Sequence, residues 1–256
     1  MAADDTHLAP EAVFGDGADL LAPEGMSDAP DLINRSQDID NSHVVIFAEH
    51  EALSAAGPAI RLNFINRSDD TDNSQIVVFA KTTTDPIAWT VIRNCGIGWN
   101  HPFVFPVATG LGVGDSDGNF SPVTPAADGQ AFKVVRTSSG DALQVAGLAG
   151  APSIIQVENG LLDGPISALV YKAGRLFARA MVAPNTHAVF EFRPTLWIGA
   201  VSQMEQGAAM DPAVVAQIEN EFSLLGIASA DIVMTGGGSG PDAKPFAFAL
   251  ENVAYG

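Results

Sequence analysis

From residue 61 to the end of the chain, short apolar runs alternate with polar and glycine-rich turns. Alternation over runs of four to eight residues is the mark of half-buried strands. On that pattern we expect strands at 76–79, 88–94, 103–107, 131–136, 142–145, 154–157, 167–171, 175–182, 188–192 and 196–201. Two closing strands follow at 230–235 and 245–253. Asp117-Gly118, Asp128-Gly129, Ala173-Gly174 and Pro184-Asn185 separate these runs as turns, because such residues reach the dihedrals that tight turns demand. One segment has helical spacing instead. Asp211 caps it, Pro212 opens it, and Val214, Val215, Ile218, Phe222 and Leu225 recur along one face before Gly226 stops it. The expected fold is all-β, mainly an antiparallel β-sandwich, with one amphipathic helix near the C-terminus.

Ahead of that domain lies a duplication. Residues 33–49 read INRSQDIDNSHVVIFAE and residues 65–81 read INRSDDTDNSQIVVFAK, identical at 11 of 17 positions. Each copy has the form of a β-hairpin: a strand end, a turn of Asn, Asp and Ser that can bond its own backbone, and a β-branched strand. No third copy follows, so this is one segment copied once and not a repeat array. Residues 1–30 show neither period and read as an acidic mobile tail. The organisation expected is therefore a tail (1–30), a duplicated hairpin with its linker (31–60) and a β-sandwich domain (61–256).

Charge narrows the functions available. The chain has 256 residues, with 12 Lys and Arg against 30 Asp and Glu, for a formal charge of −18. The basic residues are scattered, and a field of that sign repels a nucleic-acid backbone or an anionic membrane surface. No run reaches the roughly 18 apolar residues needed to span a bilayer. No basic, apolar leader opens the sequence, so the default is a cytoplasmic protein, and the pattern is compatible with export that uses no cleaved signal. A single cysteine, Cys95, rules out an internal disulfide and reads as a small buried hydrophobe.

Four features offer candidate chemistry. Asp115, Asp117 and Asn119 in D-S-D-G-N open like a calcium loop, but the twelfth position is Ala126 where a bidentate acid would complete it, so weak calcium binding is the most it supports. Trp99, Asn100, His101 and Phe103 form an aromatic cluster with polar tips that could stack on a sugar or small ligand, or simply fill the end of a sandwich. The glycine loop at 236–240 leads into an alternating strand and not a helix, which favours a hairpin loop over a phosphate cradle. Ile33, Asn34, Val45 and Phe47 of the first copy match positions of the second; the leader hairpin either extends its own sheet as an extra pair of strands or mediates self-association by strand exchange, with these residues as the candidates.

The stretches FINRSDDTDNSQIVVFAK, AWTVIRNCGIGWNHPFVFP and GIASADIVMTGGGSGPDAKPFAFALENV resemble a group of uncharacterised bacterial and fungal proteins over about residues 62–256. Some members lack the duplicated leader, and some carry the label of aromatic ring-opening dioxygenase. That resemblance implies a non-haem iron held by two His and a carboxylate; no motif in the sequence supplies such a triad. The expectation from the residues is a non-enzymatic β-sandwich protein that binds or self-associates, as a homo-oligomer. A metal-dependent dioxygenase and a lectin-like module are the alternatives.

Overall fold

The computed structural model describes residues 59–82 and 85–256. The acidic tail and the first copy of the duplicated segment, with Ile33, Asn34, Val45 and Phe47, lie outside the described residues. The described part contains sixteen strands and falls into two sets of eight. The first set is β1 (Ala59–Asn66), β2 (Gln75–Phe79), β3 (Thr90–Ile92), β4 (Asn100–Pro106), β5 (Thr109–Gly114), β6 (Thr124–Ala126), β7 (Gln130–Thr137) and β8 (Gly140–Leu148). The second is β9 (Ile154–Asn159), β10 (Ile166–Lys172), β11 (Arg175–Val182), β12 (His187–Glu191), β13 (Thr195–Val201), β14 (Asn220–Ser223), β15 (Ile227–Gly237) and β16 (Lys244–Tyr255). A short helix α1 (Pro212–Gln217) sits between β13 and β14.

These strands form four four-stranded sheets: β16-β15-β1-β4, β8-β7-β9-β12, β14-β13-β2-β3 and β6-β5-β10-β11. Advancing every label by eight, cyclically, converts the first sheet into the second and the third into the fourth. Pairing sense follows the same rule. β1 runs parallel to β15 as β9 runs parallel to β7, and the other pairings within the sheets are antiparallel. The fold is thus two equivalent halves whose strands interdigitate, each sheet drawing one pair of strands from either half.

Local bonding supports the equivalence. Asn66 ends β1 opposite Met234, and Asn159 ends β9 opposite Val134. The backbone N–H of Asn66 donates to Trp99 and its carbonyl accepts from Gly98; for Asn159 the partners are Thr186 and Asn185. Gly98 and Asn185 both hold positive φ, at 80° and 58°, so the same left-handed turn closes both sites. Each asparagine Oδ1 accepts the N–H two residues on, from Ser68 or Leu161. Each Nδ2 donates to a remote carbonyl, Cys95 or Val182. Both side chains are buried, where such bonds offset the cost of taking an amide out of water.

One apolar core joins all four sheets, through residues such as Phe64, Trp89, Leu111, Phe132, Ile155, Phe177, Phe190 and Ile232. Equivalent aromatics meet at its centre. Trp89 lies edge-on to Phe105 at 5.4 Å and Phe177 lies edge-on to Phe192 at 5.5 Å, while Trp89 and Phe177 touch at 5.9 Å. A second cluster covers the outer face of β2, where Val77 and Phe79 pack with Ala88, Met210 and Ile218. β2 is therefore buried on both faces, Ile76 and Val78 facing the main core.

The all-β reading holds, and most expected strands are present. The helix is shorter than its spacing suggested. Asp211 caps it, accepting from the Ala213 N–H, but it ends at Ile218, whose backbone is extended. Phe222 then sits in β14, opposite Leu196, and Leu225 is exposed. Six residues cannot sustain a helix alone. The tertiary contacts of Val214, Val215 and Ile218 with the outer face of β2 fix this one, and chain pairing with β13 takes over immediately afterwards. Gly226, with φ of 74°, turns β14 into β15 and does not end a helix. Among the described residues no helix is long and apolar enough to cross a membrane.

Candidate functional site

The second copy of the duplicated segment joins two sheets: β1 belongs to one and β2 to another, both as interior strands. Between them the chain closes on itself through a relay of polar side chains. Asn66 Oδ1 accepts from the Ser68 N–H and hydroxyl, at 3.0 and 2.6 Å. Ser68 Oγ accepts from the Asp70 N–H at 3.2 Å. Asp70 Oδ1 accepts from the Asp72 N–H and Oδ2 from the Ser74 N–H, at 3.1 and 2.7 Å. Asn73 takes a positive φ of 53° and donates to Asn94. Asn66, Ser68 and Asp70 are all buried, so a rigid polar turn stands where a solvated loop would be expected.

The glycine loop after β15 explains that burial. The Asp69 N–H donates to the Gly236 carbonyl, and the Gly238 N–H donates to the Asp69 carbonyl. A Cβ on Gly237 would come within 3.1 Å of the Asp70 nitrogen. The glycines thus allow one backbone to lie against another, which is the hairpin-loop reading in structural form. This contact uses the backbone of position 69 and leaves its side chain exposed.

The aromatic cluster divides. Trp99 is exposed, and its carbonyl serves Asn66. Asn100 donates to Asn63 at the exposed edge strand β4, where His101 stands opposite Phe64. Phe103 turns inward and lies 6.4 Å from Trp89, edge-on, so it belongs to the core. Asp115 Oδ1 accepts from the N–H groups of Asp117 and Asn119, at 2.9 and 2.8 Å, and Oδ2 from the Asn119 side chain at 2.8 Å. Those bonds, the Asn119 side chain first, hold its carboxyl below the usual range. The loop borders a cavity of about 640 Å³ facing the β7–β8 hairpin, where Arg136 pairs with Asp141. Among the described residues no three His, Cys, Asp or Glu lie together in a way that could hold a metal ion. Cys95 is half-buried, and burial pushes its thiol up, away from the reactive thiolate.

A cavity that sequence reasoning did not reveal lies where the halves meet. It has a volume of about 500 Å³, and its walls include the equivalent pairs Phe105 and Phe192, and Val107 and Pro194. Lys172, only 4% exposed, ends β10 against it. Its Nζ donates to the carbonyls of Pro106 and Val107, at 3.1 and 3.2 Å, and to Thr109 Oγ1 at 3.3 Å. Phe105, Phe177 and Phe192 surround the ammonium at 5.3, 5.4 and 5.8 Å. Burial lowers its pKa to about 8, opposed by the charge of Asp128. Nothing in the strand pattern marks Lys172, because its partners come from remote segments.

No known protein family, curated protein or solved structure matches this chain.

Proposed function

We propose that the protein is a non-enzymatic self-associating protein in which residues 33–49 of one chain take the place of residues 65–81 in another. The observation that carries this reading is where the copies differ. Every buried polar group of the second copy has an identical counterpart: Asn66 in Asn34, Ser68 in Ser36, and Asp70 in Asp38. Asn73, with its positive φ, matches Asn41, and Val77 and Phe79 match Val45 and Phe47. Three of the six differences fall at exposed positions 69, 71 and 81. Two more exchange Ile and Val between positions 76 and 78 on the same core face, leaving the total volume unchanged. At the sixth, Gln75 accepts from the Met204 N–H, and His43 offers an acceptor nitrogen there.

Topology adds to the argument. β1 lies between β15 and β4, and β2 between β13 and β3. The copied segment holds only Ile65 and Asn66 of β1 but all of β2, so a second copy fits the β2 position only by replacement, which between chains is a form of domain swapping. The incoming segment repeats every buried polar group of the displaced one, so the exchange should depend on chain concentration.

Full-length N66A/D70A tests this. Its own turn is disabled and its leader intact, so it should assemble more than the unmodified chain. It should also lose less stability than the same chain with N34A/D38A added. Equal stability loss with and without an intact leader would refute the exchange.

A further inference from the structure

We propose that the cavity at the junction of the two halves binds a small amphipathic anion, an apolar chain ending in a carboxylate or sulfonate, with its charged end on Thr109 backed by Lys172. This goes beyond self-association and does not depend on it. The cavity, at about 500 Å³, is of ligand size, and Ile60, Phe105, Phe192, Leu224 and Ile227 give it apolar walls. Two of its polar groups meet, Lys172 and Thr109. Lys172 contacts three uncharged oxygens, so a full positive charge sits in a low-dielectric site without a carboxylate in contact.

Thr109 makes that charge available to a ligand. Its Oγ1 accepts from Lys172, and a hydroxyl that accepts still has its own proton to donate. An anion at the cavity end would receive that O–H, polarised by the ammonium behind it, in a charge-assisted bond. Asp128, Arg193 (paired with Glu191) and the C-terminal Gly256 also line the cavity, so the anion is held by the Lys172–Thr109 pair and not by a net charge of the wall. A cationic ligand is disfavoured for the same reason: the ammonium of Lys172 already occupies the aromatic faces.

Calorimetric titration of the full chain with dodecanoate below its micelle concentration, against dodecyltrimethylammonium as control, tests the assignment. Dodecanoate should bind once per chain and at least tenfold more tightly than the cation. K172M keeps the apolar stem and T109V the shape; each should weaken dodecanoate about tenfold, with the melting temperature of K172M not lowered. A59W, at the mouth, should abolish binding with Lys172 in place. Equal affinity for the two amphiphiles, no binding of either, or undiminished dodecanoate affinity in T109V would overturn the proposal. Should K172M fail to fold, T109V and A59W decide it.

Discussion

The half from β1 to β8 and the half from β9 to β16 share one strand plan, yet they differ where the chain is free to differ. Both end their first strand on a buried asparagine that ties three segments together. After it, the first half builds the polar relay from Asn66 to Ser74, whereas the second turns within a few residues, with Asn159 bonding the Gly164 carbonyl. Between the fifth and sixth strands the first half has the Asp115 loop; the second has a longer connection with α1. Lys172 has no cationic counterpart: its place corresponds to Ala80, just past the end of β2, one residue after Phe79 as Lys172 follows Tyr171. The shared features are those that hold sheets together. The unshared ones, the copied turn and the lysine cavity, are where we place function.

The largest test of equivalence is at the asparagines. N66A and N159A each strand buried donors and acceptors, so each should cost about 3–5 kcal/mol in urea unfolding. Costs that differ by more than about 2 kcal/mol would show that the two positions are alike in topology only.

Gly112 and Gly199 then sharpen the contrast. They occupy the same place, Gly112 opposite Leu169 and Gly199 opposite Val77. A Cβ on Gly199 would lie 2.7 Å from Ile218, while on Gly112 its nearest neighbour would be Tyr171 at 3.5 Å. G199A should therefore cost about 1–3 kcal/mol, and G112A should be neutral or stabilising by about 0.5 kcal/mol. Restoration of G199A by I218V would identify the cause; equal costs would break the comparison.

A smaller effect distinguishes Lys172. Its folded pKa, about 8, lies below the ordinary 10.5, so the unfolded chain binds more protons between those values. Stability contributed at this site should then rise as pH increases from about 8 to 10.5, and it is lowest below pH 8. The stability of the unmodified chain relative to K172M should climb over that window. A flat difference would mean that the ammonium is not desolvated.

Much of this fold is legible in the sequence because β2, β7, β9 and β10 alternate or run apolar as interior strands must. β5 is not, since its TGLGVG spaces Leu111 and Val113 with glycines. Structure supplies a reason for the last of them: a Cβ on Gly114 would meet the Phe120 ring at 2.9 Å. The equivalence of the halves is hidden because the connections differ in length and few side chains besides Asn66/Asn159, Phe103/Phe190 and Phe105/Phe192 persist. The duplicated segment was visible at once, but the burial of its Asn, Ser and Asp depends on the distant glycine loop. The cavity was not legible at all, as Lys172 meets Thr109 only through the pairing of β10 with β5 and meets Phe192 only across the packing of two sheets.

Sedimentation velocity of the full-length chain over a wide concentration range, beside full-length N34A/S36A/D38A, tests the central claim most directly. The substitutions fall outside residues 59–256 and leave that fold untouched in sequence. The account predicts concentration-dependent assembly of the unmodified chain and its loss in the triple variant, with the thermal transition unchanged. An unmodified chain that stays monomeric at high concentration and salt, or a triple variant that assembles equally well, would contradict it.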